Sequence, residues 1–178
     1  MIRIREAALD DVPAIARVHV QADWDTYSAL LGSQARALDL GENEDRWRRA
    51  LRDGDILLVA SDGDAIVGLG HAGRDRIGAL YLLRPYQRRG IGRALLTRLL
   101  AALNKRGIGI ARFDVVAVNV NAISFYRALG AYPSVEVSIT TLAAIAKIWS
   151  SQLRLRRQVD QVNRRRFALL AHDVLNQS

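Results

Sequence analysis

The stretch Leu80-Tyr81-Leu82-Leu83-Arg84-Pro85-Tyr86-Gln87-Arg88-Arg89-Gly90-Ile91-Gly92-Arg93-Ala94-Leu95-Leu96 constrains this chain most. An apolar run ends, a loop with two glycines turns, and a long amphipathic helix begins. Leu95, Leu96, Leu99, Leu100 and Leu103 form one apolar stripe on that helix. The first amides of a helix have no partner within it, and the helix dipole adds partial positive charge there. Glycine lets a ligand approach the main chain closely, and Arg88, Arg89 and Arg93 add full charges. The segment reads as a cradle for a pyrophosphate.

The rest of the chain supplies a sheet for that loop to sit on. Ile2 to Arg5 alternates apolar and basic residues, as a half-buried strand does. Asp10 and Asp11 precede Pro13 and mark a helix start, predicted over Val12 to about Ala22. Leu38 to Leu51 reads as a second helix. The runs Ile56–Ala60 and Ala65–Leu69 flank an Asp-Gly turn and predict a hairpin. Ile77–Leu83 follows as a third strand, then the loop and the helix Ala94–Leu103. Ile108–Val118 is β-rich. Asn121 reads as the cap of a short helix Ala122–Leu129, stopped by Gly130, and Val135–Ile139 reads as one more strand. The order β-α-α-β-β-β-loop-α-β-α-β predicts an α/β (α+β) domain with a single mixed sheet flanked by helices.

Three phosphate-binding patterns compete for the loop. A Walker A loop needs Gly-Lys followed by Ser or Thr, which is missing. A dinucleotide fingerprint needs a small residue where Leu95 stands. What remains is Gln/Arg-x-x-Gly-x-Gly/Ala, present as Gln87-x-x-Gly90-x-Gly92, and here the sequence resembles the GNAT superfamily of N-acetyltransferases. A second segment strengthens the resemblance. Asn119-Val120-Asn121-Ala122-Ile123-Ser124-Phe125-Tyr126-Arg127-Ala128-Leu129-Gly130 resembles the family's Asn-x-x-Ala-x-x-Phe-Tyr-x-x-x-Gly, about thirty residues after the loop. The likeness covers about residues 1 to 137.

The resemblance implies acetyl-CoA as co-substrate and no metal. Leu82, Leu83, Gln87, Arg88, Arg89, Gly90, Ile91, Gly92, Arg93 and Ala94 would hold the coenzyme, with Asn119 on its pantetheine arm. Tyr126 would be the general acid for the departing thiolate. A backbone N–H near Tyr81 to Leu83 would receive the charge that develops on the carbonyl oxygen. The acceptor is a small-molecule or peptide amine, its pocket walled by Trp24, Asp25, Tyr27 and strand side chains. Two other readings stand beside this one: a non-catalytic acyl-CoA-binding domain, and a basic protein that binds nucleic acid through its tail.

Two features depart from the family. Arg76 stands where many relatives carry a glutamate, and a guanidinium cannot act as a base. His71, Tyr81, Asp75, Asp25 or a bound water are the replacements. Further on, Leu142, Ile145, Trp149 and Leu153 fall at helical spacing. The chain therefore divides into an acetyl-CoA-binding domain, 1–137, and a basic helical extension, 138–178, with Arg164-Arg165-Arg166 on its second helix. A missing last strand would leave a sheet edge open. The extension is expected to pack on the same domain or to pair with a second subunit as a homodimer.

The charge needs the same division. The chain of 178 residues carries a formal +8, of which residues 151–178 contribute +4. A solvated charged face explains those arginines better than nucleic-acid binding does. There is no cysteine, so thiolate metal sites and a cysteine nucleophile are excluded. No basic start is followed by an apolar stretch, and the uncharged run 137–146 is too short to span a bilayer. A cytoplasmic protein without membrane partners is expected.

Overall fold

The computed structural model describes residues 1–133 and 164–170. Its strands are β1 (Ile2–Glu6), β2 (Ile56–Asp62), β3 (Ala65–Gly73), β4 (Arg76–Leu82), β5 (Ile110–Val116), β6 (Tyr132–Pro133) and β7 (Arg164–Leu170). Its helices are α1 (Val12–Leu31), α2 (Leu40–Arg52), α3 (Ile91–Lys105) and α4 (Val120–Arg127). The strands form one sheet in the order β1-β2-β3-β4-β5-β7-β6. Every neighbouring pair is antiparallel except β4 and β5, which run parallel. This is the single mixed sheet that the sequence predicted.

Helices cover both faces. On one, the α3 stripe of Leu95, Leu96, Leu99, Leu100 and Leu103 is wholly buried against Ile56, Leu58, Val67, Ile77 and Phe113. Each such leucine contributes about 1.5–3 kcal/mol relative to an exposed one. On the other, Val12, Ile15, Ala16 and Val18 of α1 and Trp47 of α2 pack on Leu57, Val59, Leu69 and Ala79. Alternation along β4 follows from this. Leu80 and Leu82 face the α3 side, and Ala79 and Tyr81 face α1 and α2.

Three boundaries differ from expectation. α1 runs on to Leu31, nine residues beyond Ala22, and ends at Gly32 with φ 53°. The polar and aromatic run that hid this extension is knitted into the helix: Thr26 Oγ1 donates to the Ala22 carbonyl at 2.7 Å and Ser28 Oγ to the Trp24 carbonyl at 2.5 Å. α3 starts at Ile91, before the apolar stripe begins. The cap of α4 is Asn119, whose side chain accepts from the Ala122 amide at 3.0 Å; Asn121 lies inside the helix. Only a residue with the flanking, non-helical backbone can reach back to that amide.

The tail departs further. Residues 164–170 are a strand, not part of a helix. β7 pairs with β5 along its whole length, from Val116↔Arg164 to Ile110↔Leu170, and the edge of β5 is covered. A free ladder edge gains a full set of backbone hydrogen bonds from such a partner, and this outweighs the weak helical pattern of the tail. Tyr132 and Pro133 extend the sheet by pairing with Ala168 and Phe167. The strand expected at Val135–Ile139 and the helical positions Leu142, Ile145, Trp149 and Leu153 lie outside the described residues.

Candidate active site

The site begins where two strands part. β4 and β5 share one register pair, Arg76↔Arg112, with a backbone bond from the Arg112 amide to the Asp75 carbonyl at 2.7 Å. Two crossed ion pairs fasten that point: Arg76 with Asp114 at 2.9 Å, and Arg112 with Asp75. Beyond Arg76 the strands carry no ladder pairs, so a gap opens toward the C-terminal end of β4. Within β4, Gly78 is an extra residue: His71 pairs with Ala79, yet Ala72 pairs with Ile77. Such a bulge bends the strand and re-aims its backbone.

The loop after β4 stands at the mouth of the gap. Gln87 Nε2 donates to the Leu82 carbonyl at 2.9 Å, which ties the loop to the strand end. Leu83 extends the β3 contact through a bond from its amide to the Val67 carbonyl at 3.0 Å. Arg88 and Gly90 both adopt left-handed φ, 60° and 80°. Gly90 precedes α3, and a Cβ built there would meet nothing within 4 Å. Among the described residues the amides of Arg88 to Arg93 donate no backbone hydrogen bond. Arg88, Arg89, Gly90, Arg93 and Ala94 are exposed, while Ile91 is buried beneath them. Successive free amides at a helix head with open space above Gly90 fit a coenzyme diphosphate.

α4 closes the far side of the gap. Tyr126 is 9% exposed and packs on Phe113 and Phe125, with ring centroids 4.1 and 5.1 Å away. Burial holds its pKa well above that of a free phenol, with a smaller push from Tyr27. It therefore stays protonated at neutral pH and can only give a proton. Asn119 uses its Oδ1 to cap α4, which leaves its Nδ2 group as a donor.

On the α1/α2 side lies a buried polar cluster. Tyr81 donates its hydroxyl proton to Asp23 Oδ1 at 2.9 Å. Burial, foremost, then Tyr27 and Asp23, raise the Tyr81 pKa. Tyr27 thus lies within electrostatic reach of both Tyr81 and Tyr126. His19, 2% exposed, bonds through Nδ1 to Asn43 Oδ1 at 2.5 Å, and its ring lies 4.6 Å from that of Tyr81. Asn43 Nδ2 donates to the Asp39 carbonyl, so its Oδ1 accepts from His19 and sets the neutral Nδ1–H tautomer. Burial lowers the His19 pKa to about 4.

The base candidates fall into different places. His71 Nε2 is held by Asp55 at 2.8 Å and its ring lies against Gly78, so it braces the bulge. Asp75 is taken by Arg112, and Asp25 accepts from Gln21 at 2.8 Å. Tyr81, on β4, is bonded to Asp23 and packs on His19. Trp24 is 42% exposed, which removes it from the core. His19, Asn43 and Arg46 received no role from the sequence, because they meet Tyr81 only through the packing of α1 and α2 on the sheet.

A splayed mixed sheet with an anion cradle at the head of the helix after β4 defines a class of acyl-CoA-binding transferases. The comparisons agree. The acetyltransferase (GNAT) family model matches residues 20–131. The uncharacterised N-acetyltransferase YuaI of Bacillus subtilis (strain 168) is 30% identical over 138 residues, 72% of this chain and 79% of its own length. The ribosomal protein bS18-alanine N-acetyltransferase of Escherichia coli (strain K12) is 49% identical over 45 residues, 25% of this chain and 30% of its own length. The PaiA N-acetyltransferase of Thermoplasma acidophilum, solved in complex with coenzyme A, has the same fold. Its TM-score is 0.70 at 17% identity, over 96% of this chain and 99% of that one. The chain belongs to the acetyltransferase (GNAT) family and is an acetyl-CoA-dependent N-acetyltransferase. The acyl-CoA-binding and nucleic-acid-binding alternatives find no support in these relatives. Among the described residues no helix is long and apolar enough to cross a membrane.

Proposed function

We propose that the protein moves the acetyl group to a primary amine, small or peptidic, by direct attack on the thioester, without a covalent enzyme intermediate. The observation that carries this is the parting of β4 and β5 after Arg76, with the free amides of α3 on one side and the Tyr81–Asp23 pair on the other. Acetyl-CoA supplies an activated acyl group as a thioester. The amides of Arg88 to Arg93 and the side chains of Arg88, Arg89 and Arg93 hold the diphosphate. Gln87 keeps that loop in place, Leu82 and Leu83 line the entry, and Asn119 Nδ2 donates to the pantetheine arm.

At pH 7 an alkyl amine is roughly one part in a thousand neutral and a peptide α-amine about one part in ten. The acceptor must therefore lose a proton, and the Tyr81–Asp23 pair gives it a route. The amine nitrogen then bonds to the carbonyl carbon and gives up a second proton by the same route, the C–S bond breaks, and Tyr126 gives its proton to the sulfur and regains one from solvent as the products leave. Charge on the carbonyl oxygen is received by a β4 backbone N–H between Tyr81 and Leu83, on the edge that β5 leaves free. Self-association through residues 138–178 is a separate proposal, tested by sedimentation over a range of concentrations.

The direct test measures acetyl-CoA consumption over amine classes: polyamines, amino acids, aminoglycosides and peptide N-termini. Amine-dependent release of free thiol, with one acetylated amine per thiol, is expected for at least one class. Thiol release that no amine accelerates would contradict the proposal.

A further inference from the structure

A largely buried acid–histidine pair stands behind the bulge of β4. His71 Nε2 lies 2.8 Å from Asp55 Oδ2, with side chains 13% and 28% exposed. Two glycines make room for the pair. A Cβ at Gly73 would stand 2.7 Å from Asp55 Oδ1, and a Cβ at Gly78 would stand 2.6 Å from His71 Nδ1. Asp55 is itself fixed, because its amide donates to the Ala50 carbonyl of α2 at 3.0 Å. The buried ring of Trp47 meets the His71 ring edge-on, with centroids 5.4 Å apart. The pair thus ties the end of α2 to β4 just past Arg76, where β4 leaves β5.

A carboxylate only accepts, so His71 Nε2 carries the proton and Nδ1 a lone pair. Nδ1 is buried without a hydrogen-bond partner among the described residues, and it is the ring atom nearest Gly78. An imidazole oriented by a carboxylate has the make-up of a general base, but this free nitrogen is sealed against the strand and out of reach of an amine. We propose that His71 and Asp55 are positioning residues for acetyl transfer: the pair sets the Gly78 bulge, and the bulge aims the β4 amides that receive the carbonyl oxygen. The inference rests on the acetyltransferase reading and adds two residues to it. A proton on Nδ1 would stand between the ring and Gly78 without an acceptor among the described residues, so the bulge is held only while His71 is neutral. Burial, foremost, and the charge of Arg46 on α2 favour the neutral ring, while Asp55 opposes them. His19 of α1 feels the charge of His71, and β2 and β4 set the apolar Leu57 and Ala79 opposite it.

Steady-state kinetics with a saturating amine test it. His71→Leu and Asp55→Ala should each lower kcat about ten- to a hundredfold and leave KM for acetyl-CoA within about threefold. His71→Gln keeps a donor for Asp55 and should recover most of kcat. Thermal melting of each variant shows that the fold persists. His71→Gln also cannot titrate, so the ratio of natural to His71→Gln kcat cancels the titration of the amine itself. That ratio should fall over the pH range in which the His71 ring takes up its proton, followed by its NMR signals. A ratio that stays constant while the ring titrates overturns the proposal without need of the other variants. So does a kcat within about threefold of the natural value in folded His71→Leu and Asp55→Ala, or an equal loss of kcat and coenzyme affinity. These outcomes sink this inference alone, whereas a natural protein that acetylates no amine sinks the broader reading too.

Discussion

Arg76 Nη1 lies 2.9 Å from Asp114 Oδ2, across the one register pair that joins β4 to β5. The residue that broke the family pattern in sequence is thus a strand fastener, not a displaced base. Its side chain is 43% exposed, so the pair is partly screened. A double-mutant cycle with Arg76→Met and Asp114→Asn should give a coupling of about 0.5–1 kcal/mol in stability. The same single variants should raise KM for acetyl-CoA several-fold, because the gap is no longer held to one width.

His71 makes Gly78 irreplaceable. A Cβ at Gly78 would stand 2.6 Å from His71 Nδ1. Gly78→Ala must push the ring away and break its bond to Asp55. A loss of about 1–3 kcal/mol is expected from denaturant melts. Turnover should fall by more than coenzyme affinity, since the bulge aims the β4 backbone and not the α3 loop.

His19 gives the fold an acid-sensitive point. Its pKa falls from an ordinary 6.5 to about 4 on folding, so the unfolded chain binds the extra proton between these values. Stability is fully present above pH 6.5 and declines as pH drops toward 4, by about 3 kcal/mol at the acid limit. His19→Gln keeps a donor for Asn43 and removes the titration. Its unfolding free energy, followed from pH 7 to 4, should fall less steeply than that of the natural chain.

Tyr126→Phe removes one buried hydroxyl and nothing else. A general acid contributes about 100- to 10,000-fold. Turnover should fall within that range while the affinity for coenzyme A, measured by calorimetry, stays within threefold. Because the natural phenol is protonated far above neutrality, no loss of activity from its ionisation is expected below pH 10.

The sequence revealed the parts whose chemistry is local. The Gln87-x-x-Gly90-x-Gly92 loop and the Asn119 to Gly130 segment each sit on one strand-to-helix junction, and short-range rules suffice there. Features made by distant residues were hidden. Nothing near Arg76 announces Asp114, 38 residues away. Arg46 reads as one more charge on a polar helix until α2 packs beside β4. The tail misled for another reason: Arg164 to Leu170 has too little alternation to declare a strand, and the open edge of β5 decides its conformation. Asn119 and Asn121 are equal candidates for a cap by composition, and only backbone geometry separates them.

Titration calorimetry with coenzyme A and with pantetheine, which lacks the diphosphate, addresses the anion cradle most directly. Coenzyme A should bind one to one and at least about a hundredfold tighter, a difference of about 3 kcal/mol. Gly90→Ala, forced into left-handed φ, should narrow that gap. Equal affinity for the two compounds, or no binding of either, would contradict a diphosphate site at the head of α3.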